Sequence, residues 1–393
     1  MKKTAIITLI FLLLTSIKTP SYAIVGTKSE AESIYATSNM MTLDCQAVYL
    51  FEANTGACLY AKNQDVKQSV ASVTKIMTLL LFAEALERGD FALTDTVRIS
   101  AYAASMGGSQ VYLKEGEEIT VEDLLKSAII ASANDASVAI AELVSGSEKV
   151  FVEAMNKRSR ELSMDNTSFE NATGLDDTTV NHYSTARDVA IMSRELIKHD
   201  IILNYSSIWQ DAIRGGEFTL TNTNRLIRYY DGCTGLKTGS TDKAGYCISA
   251  TAKRDNMSLI AVVLGAETRD KRNEIARELL DFGFANYAVY RAQERVIENV
   301  PVYSAKIKSV PLYCSEFTCL IDKGKLSSVE IKYNIPKYVT APISAGEVVG
   351  SLEYYLDGEL IGKSDMFINE DIKQLSIFDI FVMIISRAVL GKS

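Results

Sequence analysis

The chain has 393 residues, of which 47% are hydrophobic and 23% are charged, and its formal net charge is −8 at neutral pH. A chain of this length and composition predicts two or three domains with ordinary globular cores. The sequence has no basic stripe interleaved with aromatic residues, so we expect no nucleic-acid partner.

The first 23 residues have the pattern of a secretory signal peptide. Lys2 and Lys3 form a basic start, an apolar run follows over residues 6–17, and Ala23 ends a small-residue motif suited to cleavage. An uncleaved anchor is the alternative, although the apolar run is short for a membrane span. We therefore expect residues 1–23 to be removed and the mature chain to be exported.

Residues 24–290 contain predicted strands, then helices, then strands again. Apolar runs on either side of Gly56 predict a hairpin over 47–61, and helical periodicity dominates from about 72 to 200. The later predicted elements are strands near 216–224, a hairpin over 233–254 with its turn near 241–244, a buried strand over 257–265 and a helix over 272–284. This order predicts an α/β sandwich with a mostly antiparallel sheet and a helical cluster.

Residues 296–366 alternate short apolar strands with turn residues, which predicts a small C-terminal all-β domain. Cys314 and Cys319 flank a four-residue segment that could form a hairpin loop, and export would allow them to form a disulfide. Two buried free thiols are the equal alternative. The chain has six cysteines without a C-x-x-C motif and only two histidines, so we expect no zinc site.

The tail, residues 371–393, contains the apolar segment LSIFDIFVMIISRAVLGKS. On a helical wheel Asp379 and Arg387 share one narrow polar stripe, and apolar side chains cover the other faces. The segment is too short and too polar to span a bilayer easily, which favours an amphipathic helix in the membrane interface. A helix docked on the protein's own surface is the alternative. Together with export, the tail predicts a location on the outer face of the cytoplasmic membrane, facing the cell wall.

A serine and a lysine stand three residues apart at the start of an apolar helix predicted over 72–88. Ser72 and Lys75 would be neighbours on one helix face, and the apolar residues around them predict burial. A buried ammonium loses its proton readily, and a neutral lysine beside a serine hydroxyl can activate that serine as a nucleophile. The alternative is a helix-capping serine with a lysine that reaches solvent.

Two further motifs decide between these interpretations. Ser132 and Asn134 form S-x-N between two predicted helices, and Lys237 begins K-T-G on a strand of the second hairpin. The ordered set S-x-x-K, S-x-N and K-T-G is the signature of penicillin-binding proteins and serine β-lactamases. Each motif alone is weak, but the ordered set favours catalysis over capping and solvation.

These motifs make the sequence resemble the D-alanyl-D-alanine carboxypeptidases, the low-molecular-mass penicillin-binding proteins of the S11 peptidase type. The resemblance covers nearly the whole chain, through ASVTKIMT, SAND, NATGL, GLKTG, LIAVVLGAETR and VTAPISAGEVVGSLEYYLDG. It implies a β-lactamase/transpeptidase-like catalytic domain with a small β-rich C-terminal domain. It also implies peptidoglycan stem peptides as substrates and acylation by β-lactam antibiotics, with no metal or cofactor.

The resemblance and the chemistry together assign the catalytic roles. Ser72 would attack the carbonyl carbon of the penultimate D-alanine and form an acyl-enzyme, and Lys75 would accept its proton. Ser132 would relay the proton to the leaving nitrogen. Asn134 would bind the substrate backbone and help to hold Lys75.

The K-T-G strand would supply the remaining substrate contacts. Lys237 would bind the terminal carboxylate of the peptide, with help from Thr238. Gly239 would let the substrate lie close to the sheet edge. The backbone N–H groups of Ser72 and Ser240 would form the oxyanion hole.

Two features of the sequence differ from the family pattern or are ambiguous. Many relatives have a histidine after K-T-G, where this chain has Ser240, so only a backbone role is expected there. Arg269 and Arg272 both lie where the family often has an arginine that binds the substrate carboxylate. The sequence does not choose between them, and either can be a solvated residue at a helix start.

Two other functions share part of this pattern. A serine β-lactamase has the same motifs, but some of these enzymes use a glutamate on the loop that here contains Asp176 and Asp177, and no glutamate stands there. A non-catalytic penicillin-binding sensor or wall-binding protein is the other alternative. The intact motifs, the extra β domain and the tail favour the carboxypeptidase.

Overall fold

The computed structural model describes residues 43–390, with side chains as far as Ser386. The predicted signal peptide lies outside the described residues. The described chain folds into two compact units. The larger unit runs to Tyr290 and includes residues 320–329, and the smaller unit comprises residues 291–319 and 330–390.

The larger unit is built on one five-stranded sheet with strand order β2-β1-β9-β8-β7, and every pairing in it is antiparallel. The strand β7 lies at one edge of this sheet. The five strands are β1 (Ala47–Glu52), β2 (Cys58–Lys62), β7 (Cys233–Thr241), β8 (Gly245–Arg254) and β9 (Met257–Ala266). This unit also contains two short antiparallel pairs: β3 (Thr96–Arg98) with β4 (Glu118–Thr120), and the hairpin of β5 (Gln210–Ile213) with β6 (Phe218–Thr221). Both predicted long hairpins are therefore confirmed.

Most helices of the larger unit lie between β2 and β7 in the chain. In chain order they are α1 (Lys75–Arg88), α2 (Ala101–Ala104), α3 (Val121–Ile129), α4 (Asn134–Ser145), α5 (Glu148–Glu161), α6 (Ala186–Leu196), α7 (Asp200–Ser206), α8 (Leu226–Tyr229) and, after β9, α9 (Arg269–Asn286). The predicted helix over 72–88 is a 3₁₀ turn, Ala71–Thr74, followed directly by α1. It ends at Gly89, whose φ of 79° is the left-handed conformation that glycine adopts without strain.

The central strand β9 shows why its sequence is apolar throughout. Alternate side chains of a strand point to opposite faces of the sheet. Val262 belongs to a core formed with the helical cluster, whereas Val263 belongs to a second core that includes Leu279 and Leu280 of α9. Both faces of the sheet are buried, so neither needs polar residues, and the predicted α/β sandwich is confirmed.

The helix α9 starts three residues earlier than predicted. The Thr268 hydroxyl accepts a hydrogen bond from the Lys271 N–H and caps the first turn. A capping threonine satisfies one of the free N–H groups at a helix start. This shift places Arg269 and Arg272 together in the first turn of α9.

The smaller unit contains a mainly antiparallel six-stranded sheet with strand order β14-β16-β17-β12-β11-β15. The edge pair β11 and β15 is parallel. The strands from β10 onward are β10 (Tyr287–Ala292), β11 (Arg295–Tyr303), β12 (Ser309–Cys314), β13 (Phe317–Asp322), β14 (Glu330–Asn334), β15 (Val339–Thr340), β16 (Val348–Leu356) and β17 (Glu359–Phe367). The helix α10 (Ile377–Leu390) follows them.

The predicted hairpin between Cys314 and Cys319 is wrong. Cys314 ends β12 within the six-stranded sheet, whereas Cys319 lies on β13, which is not a strand of that sheet. All six cysteines are free, and these two are buried. The pair therefore follows the alternative interpretation, two buried thiols.

Candidate active site

Lys75 is buried at the first position of α1 and makes three hydrogen bonds through its Nζ atom. The Nζ atom lies 2.9 Å from Ser72 Oγ, 2.6 Å from Asn134 Oδ1 and 2.7 Å from the Thr173 carbonyl oxygen. Its side chain is 0% exposed, and Ser72 makes no capping hydrogen bond. The solvated-lysine interpretation is therefore wrong for Lys75.

Two causes hold the pKa of Lys75 well below its usual value. Burial removes water from the charged form, which is the larger cause, and the positive charge of Lys237 adds repulsion. The carboxylate of Asp135 acts in the opposite direction. The site therefore favours a neutral amine at Lys75.

Ser132 stands in the connection between α3 and α4, and Asn134 is the first residue of α4. Ser132 has a φ of 62°, an uncommon conformation for a residue with a side chain, and its Oγ accepts a hydrogen bond of 2.8 Å from Lys237 Nζ. The Asn134 Nδ2 atom donates to the Gly107 carbonyl at 2.7 Å. This bond orients the amide so that its oxygen faces Lys75. Asn134 therefore holds Lys75, as expected, while both ends of its amide already bind the protein.

Lys237 is buried on the edge strand β7 and is 1% exposed. Besides Ser132, its Nζ atom contacts the carbonyl oxygen of Thr238 at 2.9 Å. Burial lowers the pKa of Lys237 to about 7, and the nearby charge of Arg272 contributes. Lys237 therefore carries its proton in part of the molecules at neutral pH. Its Nζ atom lies beside Ser132 Oγ.

Gly239 lies against the 3₁₀ turn that carries the serine. A Cβ atom at this position would lie 2.7 Å from the backbone nitrogen of Ser72 and 2.9 Å from that of Val73. No side chain fits at such distances, so glycine is required for the turn to pack on β7. The structure thus adds a reason for Gly239 beyond the expected close approach of substrate.

A cavity of about 610 Å³ opens over these groups. Its walls include Ser72, Ser132, Thr238, Gly239 and Ser240, which come from all three motifs. The volume lies in the range typical of small-molecule sites. The structure therefore places the predicted nucleophile and the predicted substrate-binding strand on one cavity.

Both candidate arginines line this cavity, but their surroundings differ. Arg272 is 3% exposed, and its guanidinium contacts Asn273 Oδ1 at 2.9 and 3.1 Å and the Cys247 carbonyl at 3.5 Å. It forms no ion pair with any residue in the range 43–390, and burial lowers its pKa to about 10. Arg269 is exposed. A buried guanidinium without a carboxylate partner is suited to bind an anionic ligand, because the ligand would supply the missing negative charge.

The loop 171–176 contributes contacts that sequence reasoning missed. The carbonyl of Thr173 holds Lys75, and Asp176 Oδ2 accepts hydrogen bonds from Ser69 Oγ at 2.7 Å and Thr241 Oγ1 at 2.6 Å. Asp176 thus joins the chain before the S-x-x-K motif to the chain after K-T-G. The segment NATGLDD identifies this loop in the sequence. The sequence does not indicate, however, which backbone carbonyl contacts Lys75.

His182 supports the same region through Thr74, the residue that directly precedes Lys75. Its Nδ1 atom accepts a bond from the Glu170 N–H, so its Nε2 atom carries the proton and donates to Thr74 Oγ1 at 2.8 Å. Burial lowers the pKa of His182 to about 4, which makes it neutral at physiological pH. Among residues 43–390, no three His, Cys, Asp or Glu side chains are grouped to hold a metal ion.

Comparisons with known proteins agree with this geometry. The family model for D-alanyl-D-alanine carboxypeptidase matches residues 34–268, and that for the C-terminal domain of penicillin-binding protein 5 matches residues 284–374. D-alanyl-D-alanine carboxypeptidase DacF of Bacillus subtilis is 44% identical over 338 residues, which are 84% of this chain and 86% of that protein.

Solved structures give the same result. Penicillin-binding protein 5 of Haemophilus influenzae matches with a TM-score of 0.72 and 34% identity, over 85% of this chain and 99% of its own. Penicillin-binding protein D2 of Listeria monocytogenes in its ampicillin-bound form matches with a TM-score of 0.58 and 30% identity, over 62% of this chain and 99% of its own. From its motifs, its fold and these relatives, the chain belongs to the D-alanyl-D-alanine carboxypeptidase family.

Proposed function

We propose that this carboxypeptidase removes the terminal D-alanine of peptidoglycan stem peptides through an acyl-enzyme on Ser72. The observation that carries the proposal is the set of three partners around Lys75 Nζ. Asn134 Oδ1 and the Thr173 carbonyl can only accept hydrogen bonds, whereas the Ser72 hydroxyl can also donate. A neutral amine satisfies all three, with two N–H groups to the acceptors and its lone pair toward Ser72.

The first half of the reaction follows from this arrangement. Lys75 takes the hydroxyl proton while Ser72 Oγ bonds to the carbonyl carbon of the penultimate D-alanine. The backbone N–H groups of Ser72 and Ser240 stabilise the oxyanion, and one such donor typically contributes about 3 kcal/mol. The proton then passes through Ser132 to the nitrogen of the leaving D-alanine, and the C–N bond breaks.

The second half of the reaction returns the free enzyme. Water attacks the ester carbonyl of the acyl-enzyme, the Ser72 Oγ–carbon bond breaks, and Ser72 regains its proton. The shortened stem peptide then leaves the cavity. These steps balance with the peptide and one water molecule as the only reactants.

Positive charge on the K-T-G side of the cavity suits the carboxylate of the terminal D-alanine. Lys237 and the hydroxyl of Thr238 bind it in this proposal. Of the two arginines we choose Arg272, because it is buried without a carboxylate partner and close enough to repel Lys237. Charge-assisted bonds of this kind select peptides with a free C-terminus.

β-Lactam antibiotics would acylate the same serine. The Listeria relative was solved in its ampicillin-bound form, and this chain brings its own three motifs together at one cavity. The direct test incubates the protein with a pentapeptide ending in D-Ala-D-Ala and measures free D-alanine. We expect release by the wild type and by Ser105→Ala, an exposed control serine, and none by Ser72→Ala. Release by Ser72→Ala at the wild-type rate would refute the assignment.

We further propose that the tail helix α10 attaches the exported enzyme to the outer face of the cytoplasmic membrane. Its apolar side chains are exposed, with 88% for Ile377, 59% for Phe381 and 62% for Ile384. These exposures favour an interfacial helix over one docked on the protein. No helix within residues 43–390 is long and apolar enough to cross a bilayer.

Removal of the tail tests this second proposal. A chain that ends at Glu370 should remain active on the soluble pentapeptide and appear in the soluble fraction after membranes are sedimented. Phe381→Lys with Ile385→Lys should act in the same direction, since both side chains are on the exposed apolar surface. Sedimentation of the shortened chain with membranes would contradict attachment by the tail.

A further inference from the structure

The β unit next to α10 presents exposed aromatic side chains at the point where the helix begins. Tyr303 at the end of β11 and Tyr338 before β15 pack edge to face, with ring centroids 4.8 Å apart, yet they are 56% and 53% exposed. Ile307, in the loop after β11, is 41% exposed. Tyrosine is enriched where an apolar phase meets water, because its ring is apolar and its hydroxyl is polar.

These side chains are joined to the start of α10 by direct contacts. The Leu375 N–H donates to the Ser304 carbonyl at 2.7 Å. Lys306 Nζ lies 2.7 Å from Asp379 Oδ1 in the first turn of α10. Val302 pairs with Val339, so the two tyrosines also lie at neighbouring strand ends. The aromatic pair is therefore next to the helix that we propose to lie in the membrane.

Three exposed lysines surround the same place. Lys308 follows Ile307, Lys337 precedes Tyr338, and Lys373 stands two residues before Leu375. None of the three forms an ion pair with any residue in the range 43–390, whereas Lys306 is paired with Asp379. The nearby carboxylate of Asp371 accepts a bond from the Ala345 N–H. In a chain of net charge −8, these three unpaired lysines place positive charge beside the aromatic pair.

We infer that this rim, defined as Tyr303, Ile307, Tyr338, Lys308, Lys337 and Lys373, is a second membrane-contacting surface that binds anionic lipid headgroups. The inference rests on the proposed attachment of α10 and extends it to the β unit. The tyrosines and Ile307 would enter the headgroup layer beside the helix. The lysines would lie at the level of the lipid phosphates, where juxtamembrane basic residues are attracted.

A charge-removal experiment on the full mature chain tests the rim. Binding is measured by co-sedimentation with vesicles of phosphatidylcholine, with and without phosphatidylglycerol, at several salt concentrations. The rim variant carries Lys308→Gln, Lys337→Gln and Lys373→Gln. A matched control removes the same charge from exposed lysines of the larger unit, through Lys149→Gln, Lys157→Gln and Lys253→Gln.

We expect the rim variant to bind phosphatidylglycerol vesicles at least about tenfold more weakly than wild type at low salt. Its binding should also depend less on salt, because fewer exposed charges remain to be screened. The control variant should bind as the wild type does, and all three proteins should hydrolyse soluble pentapeptide equally. Equal binding of the rim and control variants would overturn the inference.

Replacement of the two tyrosines is an independent test of the same inference. Tyr303→Ser with Tyr338→Ser should weaken binding to both kinds of vesicle, and an unchanged thermal midpoint would show that the β unit remains folded. Equal vesicle binding by this variant and the wild type would remove the aromatic part of the inference. A chain that ends at Ser376, which lacks the helix α10 but keeps Lys373, separates the two proposals. If that chain still binds and still responds to the lysine changes, the tail proposal fails while the rim stands. If the shortened chain loses all vesicle binding and the lysine changes have no effect in the full chain, the inference about the rim is wrong.

Discussion

The two buried lysines of the active site are alike in position but differ in their partners. Lys75 and Lys237 are both buried, and each forms a hydrogen bond with a serine hydroxyl. Lys75, however, faces two obligate acceptors and has its pKa held well below the usual range. Lys237 has a pKa of about 7 and lies near the charge of Arg272. The same side chain can therefore serve as a base at one position and as a cationic binding group at the other.

The difference arises from the elements that carry the lysines. Lys75 begins a helix whose residues 75–80 are all buried, and its Nζ atom contacts the loop carbonyl of Thr173. Lys237 lies on an edge strand whose outer side borders the cavity. Thr238, Gly239 and Ser240 of that strand line the cavity, so in our proposal the substrate carboxylate reaches Lys237 from this side. Substrate binding should thus favour the charged form of Lys237.

Replacing Lys75 should have the largest effect. Lys75→Met removes the proton acceptor for Ser72, so acylation by a labelled penicillin should slow by roughly 10²- to 10⁴-fold. Lys62→Met is a matched control, since Lys62 is a half-buried lysine that donates to the carbonyls of Leu43 and Cys45 outside the site. Rapid labelling of Lys75→Met would exclude Lys75 as the base.

Replacing Lys237 should have a smaller effect that depends on the substrate carboxylate. Lys237→Ala should lower kcat/KM for the free pentapeptide on the order of a hundredfold, in the range of a truncated buried charge pair. A peptide with an amidated C-terminus should be cleaved poorly by the wild type and should lose little more in the variant. If the wild type cleaves the amidated and the free peptide equally, Lys237 does not recognise the carboxylate.

The pH dependence of kcat/KM should separate the two lysines. The rate should rise with pH as Lys75 loses its proton, and fall at higher pH as Lys237 loses its own, near its pKa of about 7 in the free enzyme. Arg272→Gln removes a charge that lowers the pKa of Lys237. The descending limb should therefore move to higher pH, while the rising limb stays. A descending limb that moves to lower pH would contradict the assigned charges.

The smallest expected effect is at Asp176. Asp176→Asn keeps an acceptor for Ser69 and Thr241 but removes the charge that strengthens both bonds. Charge-assisted bonds exceed neutral ones by about 1 kcal/mol, so the thermal midpoint should fall by a few degrees. Acylation should slow only severalfold. Unchanged stability and rate would show that this bridge does not position the site.

The sequence allowed the catalytic serine and both lysines to be predicted because each is a chemical group in a spaced motif. The sandwich fold was also predictable, since burial on both faces makes strands such as β9 apolar throughout. Neither prediction required knowledge of distant contacts. Local periodicity and motif order were sufficient.

The remaining features depend on tertiary contacts that sequence patterns do not record. The Thr173 carbonyl could not be found because every residue has one. The bridge by Asp176 joins hydroxyls that are more than sixty residues away along the chain. The hairpin at Cys314 and Cys319 failed because β13 is not a strand of the sheet that contains β12. Strand adjacency along the chain does not fix strand pairing in space.

The charge states of the two lysines can be measured directly. In protein labelled with ¹³C at lysine Cε, the Cε chemical shift reports whether each amine is protonated, and Lys75→Met and Lys237→Ala assign the two signals. We predict that Lys75 shows the shift of a neutral amine at physiological pH, while Lys237 titrates near pH 7. A Lys75 signal that stays cationic until a pH near its ordinary value of 10.5 would contradict its role as the base.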